Sequence, residues 1–271
     1  MPGPAFRSAL PPLLLLMSLA ACLGDSAPTV EAEREGTTEP VTAAEVNSVA
    51  ALLAADQPVF GIFSGRKSRE GGAETWNGQH ADFQLYSMES GPFDVATMRQ
   101  FMEGMVDVGG LDALAEFPII VRTPAIHTAP DEIEGMVDEA MGAGIAGIVF
   151  PHVTTAQEAA RSAELVGDAG VNILIVEDQE GIGNVRDIMA TPGLDVVFAG
   201  PGDLRRAYEG DMEAVENAIQ AVLAACLEFD VACGVTAGVD DIAERLDQGF
   251  EVIIVTQPEA VDVGMAHAGR M

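Results

Sequence analysis

From residue 59 onward the chain alternates between short apolar runs and longer amphipathic stretches. The apolar runs fall at 59–63, 83–87, 118–122, 147–150, 173–177, 196–199, 232–236 and 252–256, each bounded by turn residues. Hydrophobicity that is continuous over such short runs predicts strands covered on both faces, as in an all-parallel sheet. Between most of them, apolar residues recur at helical spacing over 95–105, 131–141, 155–165, 185–189, 212–227 and 239–246. A further helix precedes the first strand, with Thr42 as its capping residue and Val46, Val49, Leu52 and Leu53 on one face. Eight strand–helix repeats predict an α/β fold, a (β/α)8 TIM barrel over residues 42–271. An open doubly wound sheet fits less well, because no glycine-rich phosphate loop follows the first strand. The first βα connection, residues 64–80, carries Gly71, Gly72, Trp76 and Gly78 and shows no convincing helical period. An irregular loop over the barrel mouth is expected there, with Trp76 either closing the mouth or simply packing.

The residues before the barrel read as a targeting segment. Arg7 supplies a basic start, and an apolar stretch over 9–21, including Leu13 to Leu16, is too short to span a membrane comfortably. It ends in Leu19-Ala20-Ala21-Cys22, which resembles a bacterial lipobox. That resemblance implies a lipoprotein signal peptide over 1–22, with acylation of the Cys22 thiol. An ordinary signal peptide ending near a cysteine is the alternative. Residues 23–41 are acidic and aperiodic and read as a disordered tether. The expected location is therefore exported and lipid-anchored, on the periplasmic or cell-surface side of a bacterial membrane. The remaining cysteines, Cys226 and Cys233, are expected as two buried free thiols, although an exported protein can join such a pair.

Charge narrows the range of partners. The 271 residues hold 43 acidic and 13 basic side chains, a net charge of −30, with Lys67 the only lysine. Such a field repels nucleic acid and anionic headgroups, so no nucleic-acid partner is expected, and membrane contact only through the anchor. A cationic cofactor suits the chain better than an anionic one. With 48% hydrophobic residues, the chain can also bury a sizeable core.

In a parallel barrel the strand carboxyl ends converge on one mouth, so the polar residues there are the candidates for chemistry. The second strand ends in Ser87-Met88-Glu89-Ser90 and the third in Arg122-Thr123. The fifth ends in Glu177-Asp178, and the sixth runs through Gly200-Pro201-Gly202 to Asp203. Two hard carboxylates, Glu177 and Asp203, suit Mg²⁺ or Mn²⁺, and Arg122 suits a carboxylate or enolate. Each carboxylate alone equally suits a helix cap. His127, after the third strand, and His152, after the fourth, are candidate catalytic groups or plain loop histidines. His80 and His267 look incidental.

Several segments resemble the HpcH/HpaI aldolase and citrate lyase family, metal-dependent class II pyruvate aldolases on a barrel. They are Ala143-Gly144-Ile145-Ala146-Gly147-Ile148-Val149-Phe150-Pro151-His152-Val153, Leu174-Ile175-Val176-Glu177, and above all Pro192-Gly193-Leu194-Asp195-Val196-Val197-Phe198-Ala199-Gly200-Pro201-Gly202-Asp203-Leu204. The resemblance implies that Glu177 and Asp203 ligate the metal and that Arg122 holds a 2-oxo acid and stabilises its enolate. It also places the backbone N–H groups of Gly202 and Asp203 near the substrate carboxylate. The implied activity is a metal-dependent carbon–carbon lyase on a small 2-oxo or hydroxy acid, in a chain that forms a homo-oligomer if it follows its relatives. The departures are specific. The family's Asp-x-Glu-His run, which carries its acid–base dyad, is Ser87-Met88-Glu89-Ser90 here, and neither serine acts as a base near neutral pH without activation. The family's Gln before the metal-binding Glu is Ile175. The alternative is therefore a catalytically impaired, lyase-like lipoprotein that binds an organic acid without cleaving it.

Overall fold

A computed structural model describes residues 48–78 and 81–271. The capping end of the first helix, the signal peptide, the tether with Cys22, and His80 lie outside these residues. Helix α1 (Ser48–Ala54) leads into β1 (Val59–Phe63), α2 (Arg69–Trp76), β2 (Phe83–Ser87), α3 (Val95–Gly109), α4 (Ala113–Glu116) and β3 (Ile119–Arg122). Then follow α5 (Ile133–Met141), β4 (Gly147–Phe150), α6 (Ala156–Val166), β5 (Val171–Val176), α7 (Gln179–Gly183) and α8 (Val185–Met189). The chain ends with β6 (Val196–Ala199), α9 (Pro201–Ala207), α10 (Met212–Phe229), β7 (Ala232–Ala237), α11 (Ile242–Gln248), β8 (Val252–Val255) and α12 (Glu259–His267). The strands pair in sequence order, all parallel, and β8 pairs with β1 to close the barrel. This is the (β/α)8 TIM barrel that the apolar pattern predicts.

The continuous apolar runs are explained by two layers of packing. Along β5, Val171, Ile173 and Ile175 fill the barrel interior with Phe83, Leu85, Ile120, Phe198 and Ile254. The alternate residues Leu174 and Val176 point outward and pack beneath the helices. Successive side chains leave opposite faces of a strand, so a strand buried on both sides is apolar at nearly every position; the buried exception in β5, Asn172, donates to Ser162 Oγ and the Gly193 carbonyl, both at 3.1 Å. At the end where the strands begin, a contact distant in sequence ties the last residues of the chain to the starts of β1 and β2. Arg270 donates to both carboxylate oxygens of Asp82, each at 2.7 Å, and to the Pro58 carbonyl at 2.6 Å. Asp82 in turn accepts from the Phe60 N–H at 2.8 Å.

Two expectations are corrected. The first βα connection, expected to hold no helix, contains an eight-residue one, α2, capped by Ser68, whose hydroxyl accepts from the Gly71 N–H at 3.1 Å. Helical period failed there because α2 does not pack through an apolar stripe. It lies backbone-to-backbone on α3: a Cβ at Gly72 would strike the Phe101 carbonyl, and one at Gly104 would strike that of Arg69. The ion pairs of Arg69 with Glu103 and Asp107, both at 2.7 Å, fasten the same contact from outside. Trp76 belongs to this packing too, since its ring lies where a Cβ on Gly109 would be.

The second correction concerns the cysteines, which form a Cys226–Cys233 disulfide with Cα atoms 5.6 Å apart. The chain leaves α10 through Asp230 in the left-handed conformation, φ 57°, and this sharp reversal brings the last turn of the helix onto the start of β7.

Candidate active site

Arg122, Glu177, Gly200, Gly202 and Asp203 line one cavity of about 160 Å³ at the strand carboxyl ends, with Phe63, Phe198 and Ile254 among its apolar walls. A larger cavity, about 610 Å³, lies at the opposite end, where the strands begin. Among the described residues its charged lining is wholly acidic (Asp56, Asp168, Asp195, Asp230 and Glu251), with no cation to hold an acid substrate. The smaller mouth cavity, which combines an arginine with the buried Glu177 and the half-buried Asp203, is the one equipped for chemistry.

Glu177 is the buried centre of the mouth, with 3% of its surface exposed. Burial pushes its carboxyl up to about 7, the neighbouring Asp203 adds to the rise, and the positive charge of His152 opposes it. The room it occupies is provided by Gly200, where a Cβ would fall on the Glu177 carboxylate. Gly200 precedes Pro201, which opens α9 with a fixed φ and no N–H to satisfy. Asp203 therefore sits in the first turn of that helix, where its carboxylate meets Arg206.

His152 follows β4 with φ 53°, a left-handed conformation unfavourable for a side chain of this size. In this conformation its N–H donates to Glu177 Oε1 at 3.1 Å, and its ring Nδ1 lies 3.4 Å from the same oxygen. The other ring nitrogen, Nε2, lies 3.4 Å from Glu89 Oε1. Glu89 raises the imidazole pKa above its ordinary value, against burial, with help from Glu177 and Asp203. The same contact, with Arg122 beside it, holds the Glu89 carboxyl below its usual range. Arg122 completes the chain: Nη2 is 2.9 Å from Glu89 Oε2, and Nε donates to Ser87 Oγ at 2.9 Å.

The structure thus brings together Arg122, His152, Glu177, Gly202 and Asp203. It places His127 apart from them. His127 lies in a short 3-10 turn, half exposed, with Nδ1 2.9 Å from Glu158 Oε1. Glu158 is the capping-box residue that closes the start of α6 with Thr155. Ser87 and Ser90 also part: Ser87 faces Arg122, whereas Ser90 lines a side pocket with Lys67, Tyr86 and Asp94. Sequence reasoning missed Glu89, although it stands in Ser87-Met88-Glu89-Ser90 at a strand end.

The closed barrel and this arginine- and carboxylate-bearing mouth define a (β/α)8 barrel protein with its chemistry at the strand carboxyl ends. Within that class, the family model for HpcH/HpaI aldolase/citrate lyase matches residues 67–257, and the chain belongs to that family. It is 25% identical over 249 residues to the hydroxypyruvate/pyruvate aldolase of Paraburkholderia phytofirmans, covering 76% of this chain and 90% of that one. It is 28% identical over 243 residues to the 5-keto-4-deoxy-D-glucarate aldolase of Salmonella paratyphi C, covering 77% and 90%. Among solved structures, a HpcH/HpaI family protein from Burkholderia cenocepacia superposes with a TM-score of 0.66 at 22% identity, covering 81% of this chain and 96% of that one. The citrate lyase beta subunit of M. tuberculosis, solved with oxaloacetate and magnesium, superposes with a TM-score of 0.60 at 18% identity, covering 80% and 99%. The family is one of carbon–carbon lyases, and its members bind small acids.

The residues present fit a divalent cation. Glu89, His152 and Glu177 each offer one donor atom, and these atoms lie within 4.8 Å of one another. Beside them, the buried Glu177 and Asp203 repel each other, so a cation between them relieves a cost that the fold otherwise carries.

Proposed function

We propose that the chain is a metal-dependent carbon–carbon lyase acting on a small 2-oxo or hydroxy acid. The supporting observation is the convergence of Arg122, Glu177 and Asp203 on one small cavity. Glu177 and Asp203 would hold Mg²⁺ or Mn²⁺, which supplies Lewis-acid stabilisation of the enolate that carbon–carbon cleavage leaves behind. Arg122 binds the acid carboxylate and adds a fixed positive charge. Ser87 and Glu89 hold its guanidinium in place, so little side-chain entropy is lost on binding. The first-turn N–H groups of α9, at Gly202 and Asp203, have no partner in the helix ladder and face the same acid. The buried Phe198 and Ile254 give the reacting carbons an apolar wall.

The test is decarboxylation of oxaloacetate, which needs an electron sink but no base. Weak activity dependent on Mn²⁺ is expected, with little aldol cleavage and complete loss in Arg122→Ala. Loss of a positioned base removes about 10²–10⁴-fold in rate, while charge stabilisation persists. A second reading is carried by Ser87 and Ser90, which are no base as they stand: the protein binds an organic acid without turning it over. Keto-acid binding with no decarboxylation above that of free Mn²⁺ would support it. Robust aldol cleavage would show that a base is present, with His152 the first candidate and His127 the second.

The N-terminal segment adds export and anchoring through Cys22. The Cys226–Cys233 disulfide supports this reading, because such bonds persist in oxidising compartments. Fatty-acid labelling that survives Cys22→Ser would overturn it.

A further inference from the structure

Two features of His152 are not used by the roles given to Arg122, Glu177 and Asp203. The first is its backbone. A residue other than glycine held in the left-handed region costs on the order of 1 kcal/mol, and such strain persists only where the surroundings enforce it. Here the strained turn brings both the N–H and the ring of His152 over the Glu177 carboxylate. The second is the set of partners. Nδ1 lies 3.4 Å from Glu177 Oε1, while Nε2 faces the carboxylate of Glu89, which Arg122 fixes from its far side.

That arrangement is the one a metal-bound histidine takes. Two donors bound at about 2.1 Å to one ion stand about 3.0–3.4 Å apart, so Nδ1 and Glu177 Oε1 are spaced as ligands of a common ion. The second ring nitrogen of a ligating histidine almost always meets a carboxylate, which sets the tautomer and the ring orientation. Glu89 provides that carboxylate. Imidazole also changes what the site prefers. Carboxylates and water suit Mg²⁺, whereas an imidazole nitrogen favours first-row transition ions, with affinity rising from Mn²⁺ towards Co²⁺ and Zn²⁺.

We propose that His152, oriented by Glu89, is a protein ligand of the cation at Glu177, and that the site therefore selects a transition-metal ion over Mg²⁺. This rests on the metal-binding reading of the mouth and specifies the ion that it takes.

The test uses the purified full chain, stripped of metal and titrated separately with Mg²⁺, Mn²⁺ and Co²⁺ by calorimetry. Pulsed EPR of the Mn²⁺-loaded protein, grown with ring-¹⁵N histidine, reads nitrogen ligation directly. A ¹⁵N coupling of bound strength is expected in the wild type, with Mn²⁺ and Co²⁺ binding at least about tenfold more tightly than Mg²⁺. His152→Gln should lose the coupling and weaken Mn²⁺ at least about tenfold while changing Mg²⁺ less than about threefold. Glu89→Gln, which leaves the strained turn alone, should keep the coupling and weaken Mn²⁺ about tenfold. Mn²⁺ bound without nitrogen coupling, or equal losses of Mg²⁺ and Mn²⁺ in His152→Gln, overturns the role of His152. Should His152→Gln fail to fold, the wild-type spectrum decides alone. Glu177→Gln separates the two layers: unchanged Mn²⁺ affinity in that variant refutes the metal site itself, whereas Mn²⁺ that depends on Glu177 but has no nitrogen ligand refutes only His152.

Discussion

Gly200→Ala tests whether the buried carboxylate stands where the structure puts it. The backbone of Gly200, φ −92° and ψ 88°, is open to alanine, so conformation is no obstacle. On that ground alone the change would stabilise the protein by about 0.4–1 kcal/mol, through the lower entropy of the unfolded chain. Space decides otherwise. The new methyl would lie 2.7 Å from Glu177 Cβ and 3.0 Å from Ile175 Cγ2, and would overlap the Glu177 carboxylate. Cβ of Glu177 is fixed to the end of β5, so it cannot swing away as a flexible tip would. Overpacking of this kind costs about 1–3 kcal/mol, which after that gain leaves a net loss of up to about 2.6 kcal/mol. Glu177 must also turn from its place, and Mn²⁺ affinity should fall at least about tenfold, a shift of about 1.4 kcal/mol. Urea denaturation of the metal-free protein and calorimetric titration of Mn²⁺ measure the two effects. Pairing the change with Glu177→Ala closes a double-mutant cycle: that background removes the carboxylate but keeps the Cβ, so Gly200→Ala should cost less there than in the wild type without becoming stabilising. A gain of stability in the single variant, with Mn²⁺ affinity intact, would refute the packing argument.

Arg270→Ala should cost about 3 kcal/mol in urea denaturation, because it leaves the largely buried Asp82 carboxylate without its cation; a loss below about 1 kcal/mol would mean that the terminal clasp contributes little. Glu177 ionises near 4.5 when unfolded and near 7 when folded, so metal-free stability should fall as pH rises from about 4.5 to 7 and then level off. Glu177→Gln should abolish that fall and be the more stable protein at pH 8, by on the order of 1–3 kcal/mol; parallel curves for the two proteins would contradict the burial argument. Reduction of Cys226–Cys233 should remove about 2 kcal/mol, the value for so short a loop, and lower the thermal midpoint. Two thiols that titrate in the denatured, unreduced protein would show that the bond does not form.

The sequence by itself determined the eight strands to within two residues, because a strand buried on both faces is apolar at nearly every position; β5 begins at Val171 rather than 173 because the buried Asn172 interrupts its apolar run. It also determined that Arg122, Glu177 and Asp203 stand at one mouth, since parallel strands closed in order put all their carboxyl ends on the same side. Three things waited for the tertiary structure. Helix α2 carries no apolar period, because Gly72 and Gly104 press two backbones together, and a close approach leaves no pattern along the chain. The pairing of Cys226 with Cys233 depends on how sharply Asp230 turns the chain, which the identity of an aspartate does not announce. The placement of the histidines is the clearest case. His127 and His152 both follow strand ends, yet one meets the cap of α6 and the other turns between Glu89 and Glu177. The difference lies in a single backbone angle at His152 and in the space left by Gly200, 48 positions further on. Both are set by long-range packing, which local composition does not encode.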